Sequence, residues 1–96
     1  MELLVSYDVS TETAEGRRRL RKVAQICKDF GQRVQKSVFE CNVNPTQCER
    51  LKLRLLENID KNEDSLRIYV LREPRDKYVK SYGINRRIDF NGPLVL

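Results

Sequence analysis

The first apolar run of the chain, Glu2-Leu3-Leu4-Val5-Ser6-Tyr7, shows little alternation, the pattern of a strand central in a sheet or covered on both faces. From Thr13 to Phe30, the apolar positions Leu20, Val23, Cys27 and Phe30 recur at spacings of three and four and predict a helix that buries that stripe. Gly31 stands where a left-handed cap ends such a helix. Residues 33–41, "RVQKSVFEC", read as one strand: Val34 and Val38 share a face with Lys36 and Glu40, while Phe39 and Cys41 share the other with Gln35 and Ser37. Neither face is fully apolar, so this strand is expected at an edge or bulged.

A second helix opens at "NPTQCERLKLRLLENI", with Asn44 as N-cap, Pro45 at the first helical position and Gln47 placed to complete a capping box. Its apolar face is Cys48, Leu51, Leu55 and Ile59. The polar turn at 60–65 leads into "LRIYVLRE", apolar on both faces apart from Arg67 and so expected in the middle of the sheet. After Pro74 a short strand is expected around 77–82, ended by Gly83, before a tail that alternates at Ile88 and Phe90 and closes on Leu94-Val95-Leu96.

Two βαβ-like units in this order predict an α+β fold, a ferredoxin-like split βαβ sandwich with the first and third long strands central and both helices on one face. The opposite face keeps apolar residues, and a second copy of the chain is the simplest cover for it. The expected assembly is a homodimer in which the apolar C-terminal segment adds a strand to the partner's sheet. Residues 1–82 are then the ferredoxin-like domain, and 83–96 the C-terminal tail and dimer-crossing strand.

The 96 residues suffice for one core, the 40% of hydrophobic positions excludes a disordered chain, and no apolar run is long enough to span a membrane. The chain starts directly on a strand, so no signal peptide and a cytoplasmic location are expected. Cys27, Cys41 and Cys48 lack CxxC spacing and read as reduced core residues. The absence of histidine excludes a His-based triad, a His-ligated zinc site and an imidazole base. Any catalysis must use carboxylates, hydroxyls, basic groups or a metal held by oxygen.

Charge is segregated within the net +5. Residues 1–16 hold four acids and no base, whereas 17–36 hold eight bases (Arg17, Arg18, Arg19, Arg21, Lys22, Lys28, Arg33, Lys36) and one acid, Asp29. Such separation favours a polyanionic partner, nucleic acid above all.

Asp8 closes the first strand. It is either a loop-opening residue that accepts backbone N–H bonds or a carboxylate held for a cation. In a two-fold dimer, two copies of Asp8 near the axis would repel unless a cation or shared proton lay between them. Mg²⁺, or Mn²⁺ in its place, prefers oxygen ligands and keeps several waters, so two carboxylates, water and a phosphate oxygen suit it.

Tyr7-Asp8 at the strand end, followed by "GRRRLRKVAQICKDFGQRVQKSVFEC", resembles the CRISPR-associated Cas-two family, with Gly31–Glu40 as the most specific part. The resemblance implies a ferredoxin-like homodimer whose paired aspartates bind a divalent metal. It also implies an endonuclease hydrolysing phosphodiester bonds of RNA or double-stranded DNA, active in spacer acquisition beside the CRISPR integrase. Asp8 is then the catalytic and metal-binding residue, with Tyr7 and Phe39 as neighbours. Arg17, Arg18, Arg19, Arg21 and Arg33 become candidate phosphate contacts.

The competing function is a non-catalytic dimeric scaffold that binds the spacer duplex and bridges integrase subunits, and no separate general base can be named for the enzyme. An RNA-recognition-type module is disfavoured because the third strand offers only Tyr69 for stacking. A ligand-sensing domain of the same fold finds no glycine-rich loop to support it.

Overall fold

Leu3, Val5 and Tyr7 point from one face of β1 (Glu2–Asp8) into the core, and Leu4, Ser6 and Asp8 point from the other. This computed structural model describes residues 1–84. Most of the expected tail, with its crossing strand, lies outside the described residues.

After β1 come α1 (Ala14–Phe30), β2 (Gln32–Gln35), β3 (Val38–Asn42), α2 (Pro45–Glu57), β4 (Ser65–Leu71) and α3 (Arg75–Tyr78). The strands form one antiparallel sheet in the order β2-β3-β1-β4, which with this connectivity is the ferredoxin-like arrangement expected.

Val23, Ile26 and Cys27 of α1 and Cys48, Leu51 and Leu55 of α2 close over Leu3, Val5, Phe39 and Cys41 in one buried cluster. The helix starts follow the sequence closely. Thr13 caps α1 by accepting from the Gly16 N–H at 3.0 Å, and Asn44 and Gln47 form the capping box of α2 at 2.8 and 2.9 Å. No described helix is long and apolar enough to cross a membrane.

Four local expectations are corrected. The single strand at 33–41 is two, because the polar pair Lys36-Ser37 turns the chain between β2 and β3, and an irregularity between Arg33 and Gln35 breaks the alternation. β3 therefore takes the interior place beside β1, and β4, expected centrally, is an edge strand among the described residues, with Val70 68% exposed. The short strand at 77–82 is absent: α3 covers Arg75–Tyr78, and residues 79–84 form no strand.

Gly31 does end α1, but in extended backbone (φ −163°) rather than the left-handed form. Glycine is needed there for close approach. A Cβ would strike the Glu40 carbonyl oxygen and the Cys41 sulfur, and would sit 2.9 Å from the Cys41 Cα.

The sheet face away from the helices is partly screened within the chain. Residues 75–84 pass in front of Leu4, Val34, Val38 and Glu40. Arg75 reaches Glu2 at 3.5 Å and Glu40 at 3.6 Å, both buried acids, and Glu2 also accepts from Asn42 at 2.7 Å.

Candidate metal and nucleic-acid site

Asp8 is the last residue of β1, opposite Ser65 of β4, and its side chain is exposed. Alternation sets it on the sheet face opposite Tyr7, so the two sequence neighbours meet different surroundings.

Tyr7 is buried beside Phe39, with ring centres 6.2 Å apart and planes 23° from parallel. Arg33 of β2 places its guanidinium carbon 5.1 Å from the centre of the same Phe39 ring. Burial pushes the Tyr7 hydroxyl above its ordinary pKa, while hydrogen bonding from Arg33, with Ser37 adding to it, pulls the other way. That hydroxyl donates to the Lys36 carbonyl at 3.5 Å. Tyr7, Arg33 and Phe39 are thus one cluster on the helix-covered face, and Asp8 stands apart from it.

The arginines expected to hold phosphates are divided among three environments. Arg17, Arg18 and Arg21 are exposed on the first turns of α1, and none of them forms an ion pair among the described residues. Arg17 also donates to the Thr11 carbonyl at 3.0 Å, which ties α1 to the loop after Asp8. Arg19 is engaged elsewhere: its Nε donates to Asp64 at 2.8 Å and its Nη2 to Glu63 at 3.3 Å. Arg33 is half-buried over Phe39, and its Nε has no hydrogen-bond partner among the described residues. Together Arg21, Lys28, Arg33 and Lys36 line an open groove between α1 and the β2–β3 hairpin whose described walls carry no carboxylate.

Mg²⁺ and Mn²⁺ take carboxylate and water oxygens, and Mg²⁺ keeps several of its waters. The exposed Asp8 carboxylate suits such an ion. Among the described residues no group of three or more Cys, Asp or Glu side chains gathers to hold a metal.

Sequence reasoning missed Asp64. Its carboxylate is fully enclosed and accepts from Arg19, from the Asp60 N–H and from the Ser10 N–H, two residues beyond Asp8. The only sequence signal was its position at the end of a polar turn, directly before a strand.

Residues 1–79 match the family model described as CRISPR associated protein Cas2. The chain belongs to the Cas2 family. Over all 96 residues, and the whole of both chains, it is 68% identical to a protein of Moorella thermoacetica named CRISPR-associated endoribonuclease Cas2 1. It is 48% identical over 95 residues to the CRISPR-associated endonuclease Cas2 of Halalkalibacterium halodurans, covering 99% of each chain. In three dimensions it resembles crystalline Streptococcus pyogenes Cas2, with a TM-score of 0.78 and 51% identity over 86% of this chain and all of that one. The resemblance read from Tyr7-Asp8 and from Gly31–Glu40 is therefore correct at the level of the family.

Proposed function

We propose that this Cas2-family chain is a divalent-metal-dependent endonuclease that hydrolyses phosphodiester bonds of RNA or double-stranded DNA, works as a homodimer and takes part in spacer acquisition with the CRISPR integrase. The observation that carries this reading is the exposed Asp8 carboxylate at the strand end, with the cationic turns of α1 on the same chain. Relatives of 68% and 48% identity named endoribonuclease and endonuclease support it.

Asp8 and its copy in the partner would hold the ion. When bound, the ion supplies positive charge against the phosphate and activates water for attack. Arg17, Arg18 and Arg21 neutralise and orient flanking phosphates, which fixes the backbone without reading bases. Exposed Tyr69 on β4, paired with Leu4, and Tyr82 and Ile84 beside Leu4 supply apolar surface for a second copy.

A scaffold that clamps the spacer duplex is the second reading. It is favoured by the absence, among the described residues, of any group of three or more Cys, Asp or Glu side chains that could hold a metal ion.

Labelled RNA and duplex DNA incubated with and without Mg²⁺, wild type beside Asp8→Asn, decide between the two. The enzyme reading expects Mg²⁺-dependent cleavage that the substitution abolishes while binding persists. Cleavage that survives in Asp8→Asn removes Asp8 from the chemistry, and binding without any cleavage leaves the scaffold.

A further inference from the structure

We propose that Asp64 is a positioning residue for Asp8: it pins the backbone where the chain leaves β1, so that the carboxylate is presented at a fixed place to a divalent cation and a phosphate. The inference rests on the reading of Asp8 given above.

The ladder between β1 and β4 ends at the pair Asp8 and Ser65. Beyond that point a strand end frays unless something else holds it. Asp64 immediately precedes Ser65, and its side chain is 0% exposed. One carboxylate oxygen accepts from the Ser10 N–H at 3.1 Å and from Arg19 Nη2 at 3.3 Å. The other accepts from Arg19 Nε at 2.8 Å and from the Asp60 N–H at 2.9 Å.

The loop is gripped from its other sides as well. Gly16 of α1 lies so close that a Cβ there would strike the Ser10 carbonyl oxygen and come within 3.0 Å of its carbon. Arg17 holds the Thr11 carbonyl at 3.0 Å. One buried carboxylate thus joins the α2–β4 turn, helix α1 and the residues after Asp8.

A carboxylate that must share a cation with a second copy of itself needs this restraint. A displacement of about 1 Å at a reacting centre costs on the order of 100-fold in rate, and groups that orient metal ligands carry roughly 10- to 100-fold in affinity or activity.

The test uses the full chain as wild type, Asp64→Asn, Arg19→Gln, Arg19→Lys and Leu55→Val, the last a core change on α2 that removes none of the groups bonded to Asp64. All are compared at a temperature where circular dichroism shows them folded. Three quantities are read: amide exchange at Ser10, the Mn²⁺ concentration that half-broadens the Asp8 and Val9 amide signals, and Mg²⁺-dependent cleavage. For Asp64→Asn and Arg19→Gln the expectation is faster Ser10 exchange, a Mn²⁺ midpoint raised roughly 10-fold and cleavage lowered roughly 10- to 100-fold. Leu55→Val should match wild type in all three, and Arg19→Lys, which keeps a cation beside Asp64, should recover part of the loss.

Asp64→Asn that frees Ser10 yet titrates Mn²⁺ and cleaves like Leu55→Val overturns the proposal, as does unchanged Ser10 exchange. If Asp64→Asn does not fold, the two Arg19 variants decide by the same criteria. Wild type that shows neither broadening at Asp8 nor cleavage sinks the underlying reading of Asp8, and the positioning role with it. That outcome is distinguishable because Ser10 exchange still responds to Asp64→Asn.

Discussion

Arg33 and Phe39 face each other across the β2–β3 hairpin, and the arginine lays its guanidinium over the ring with 5.1 Å between the guanidinium carbon and the ring centre. The ring buries the aliphatic stem and one edge of the cation, while other donors stay near Tyr7 and the groove beside α1. A residue that reads from sequence as a surface cation is thereby half core and half surface.

Arg33→Met keeps the stem against Phe39 and removes the charge. Melting temperature should change little, whereas nucleic-acid affinity should fall and the salt slope of binding should drop by about 1. Because Arg33 holds the Tyr7 hydroxyl down, its loss should move phenolate formation at Tyr7 to higher pH in a spectrophotometric titration. An unchanged Tyr7 titration contradicts the contact.

Substituting Arg17, Arg18 and Arg21 together by Gln tests the α1 surface. Each lost phosphate contact should reduce the slope of log affinity against log salt on duplex DNA by about 0.9. Binding that is equally salt-sensitive in the triple variant places the duplex elsewhere.

Gly31→Ala places a methyl group on the Glu40 carbonyl and the Cys41 sulfur. Overpacking of this kind costs about 1–3 kcal/mol, read as a lower urea midpoint with the slope unchanged. Stability equal to wild type disproves the steric account.

Burial alone would raise the Asp64 pKa, but hydrogen bonds from Arg19, Asp60 and Ser10 hold it below its ordinary 3.8. The folded carboxyl therefore binds its proton less readily than the unfolded one. Its contribution to stability is full above 3.8 and is lost as pH falls through the lower folded value. Urea midpoints followed from neutral to acid should show a shallower acid limb in Asp64→Asn than in wild type, and parallel curves refute this.

Burial pushes the Cys27 thiol up to about 12 and the Cys41 thiol up to about 11. Both should resist thiol reagents at neutral pH in the folded chain and react on unfolding. Rapid native labelling of either contradicts the packing.

Much of this was legible in the sequence wherever a signal was local. The capping box at Asn44 and Gln47, the buried stripe of α1 and the apolar run of β1 each specify their element without help from distant residues. The Lys36-Ser37 turn was not legible, because a polar pair between two short strands reads as poor alternation within one long strand. The place of β4 was misjudged for the same reason, since a hidden fourth strand changes who occupies the middle of the sheet.

The exposed place of Asp8 at the end of β1 was legible from its position, but the enclosed carboxylate of Asp64 was not. Its role depends on Ser10 and Arg19, which are 54 and 45 residues away in the chain. Arg19 shows the converse: a run of arginines gives no sign of which member faces a carboxylate from a distant turn.

The meeting of Arg75 with Glu2 and Glu40 also limits how this surface can change over time. Removing the arginine takes the cation from two buried acids on one sheet face, and removing either acid takes one contact from the arginine. An apolar replacement for Arg75 alone would leave both acids without it, so a greasy patch here needs changes at Glu2 and Glu40 as well. Selection for stability alone would therefore tend to preserve the triad, whatever the neighbouring chemistry came to be.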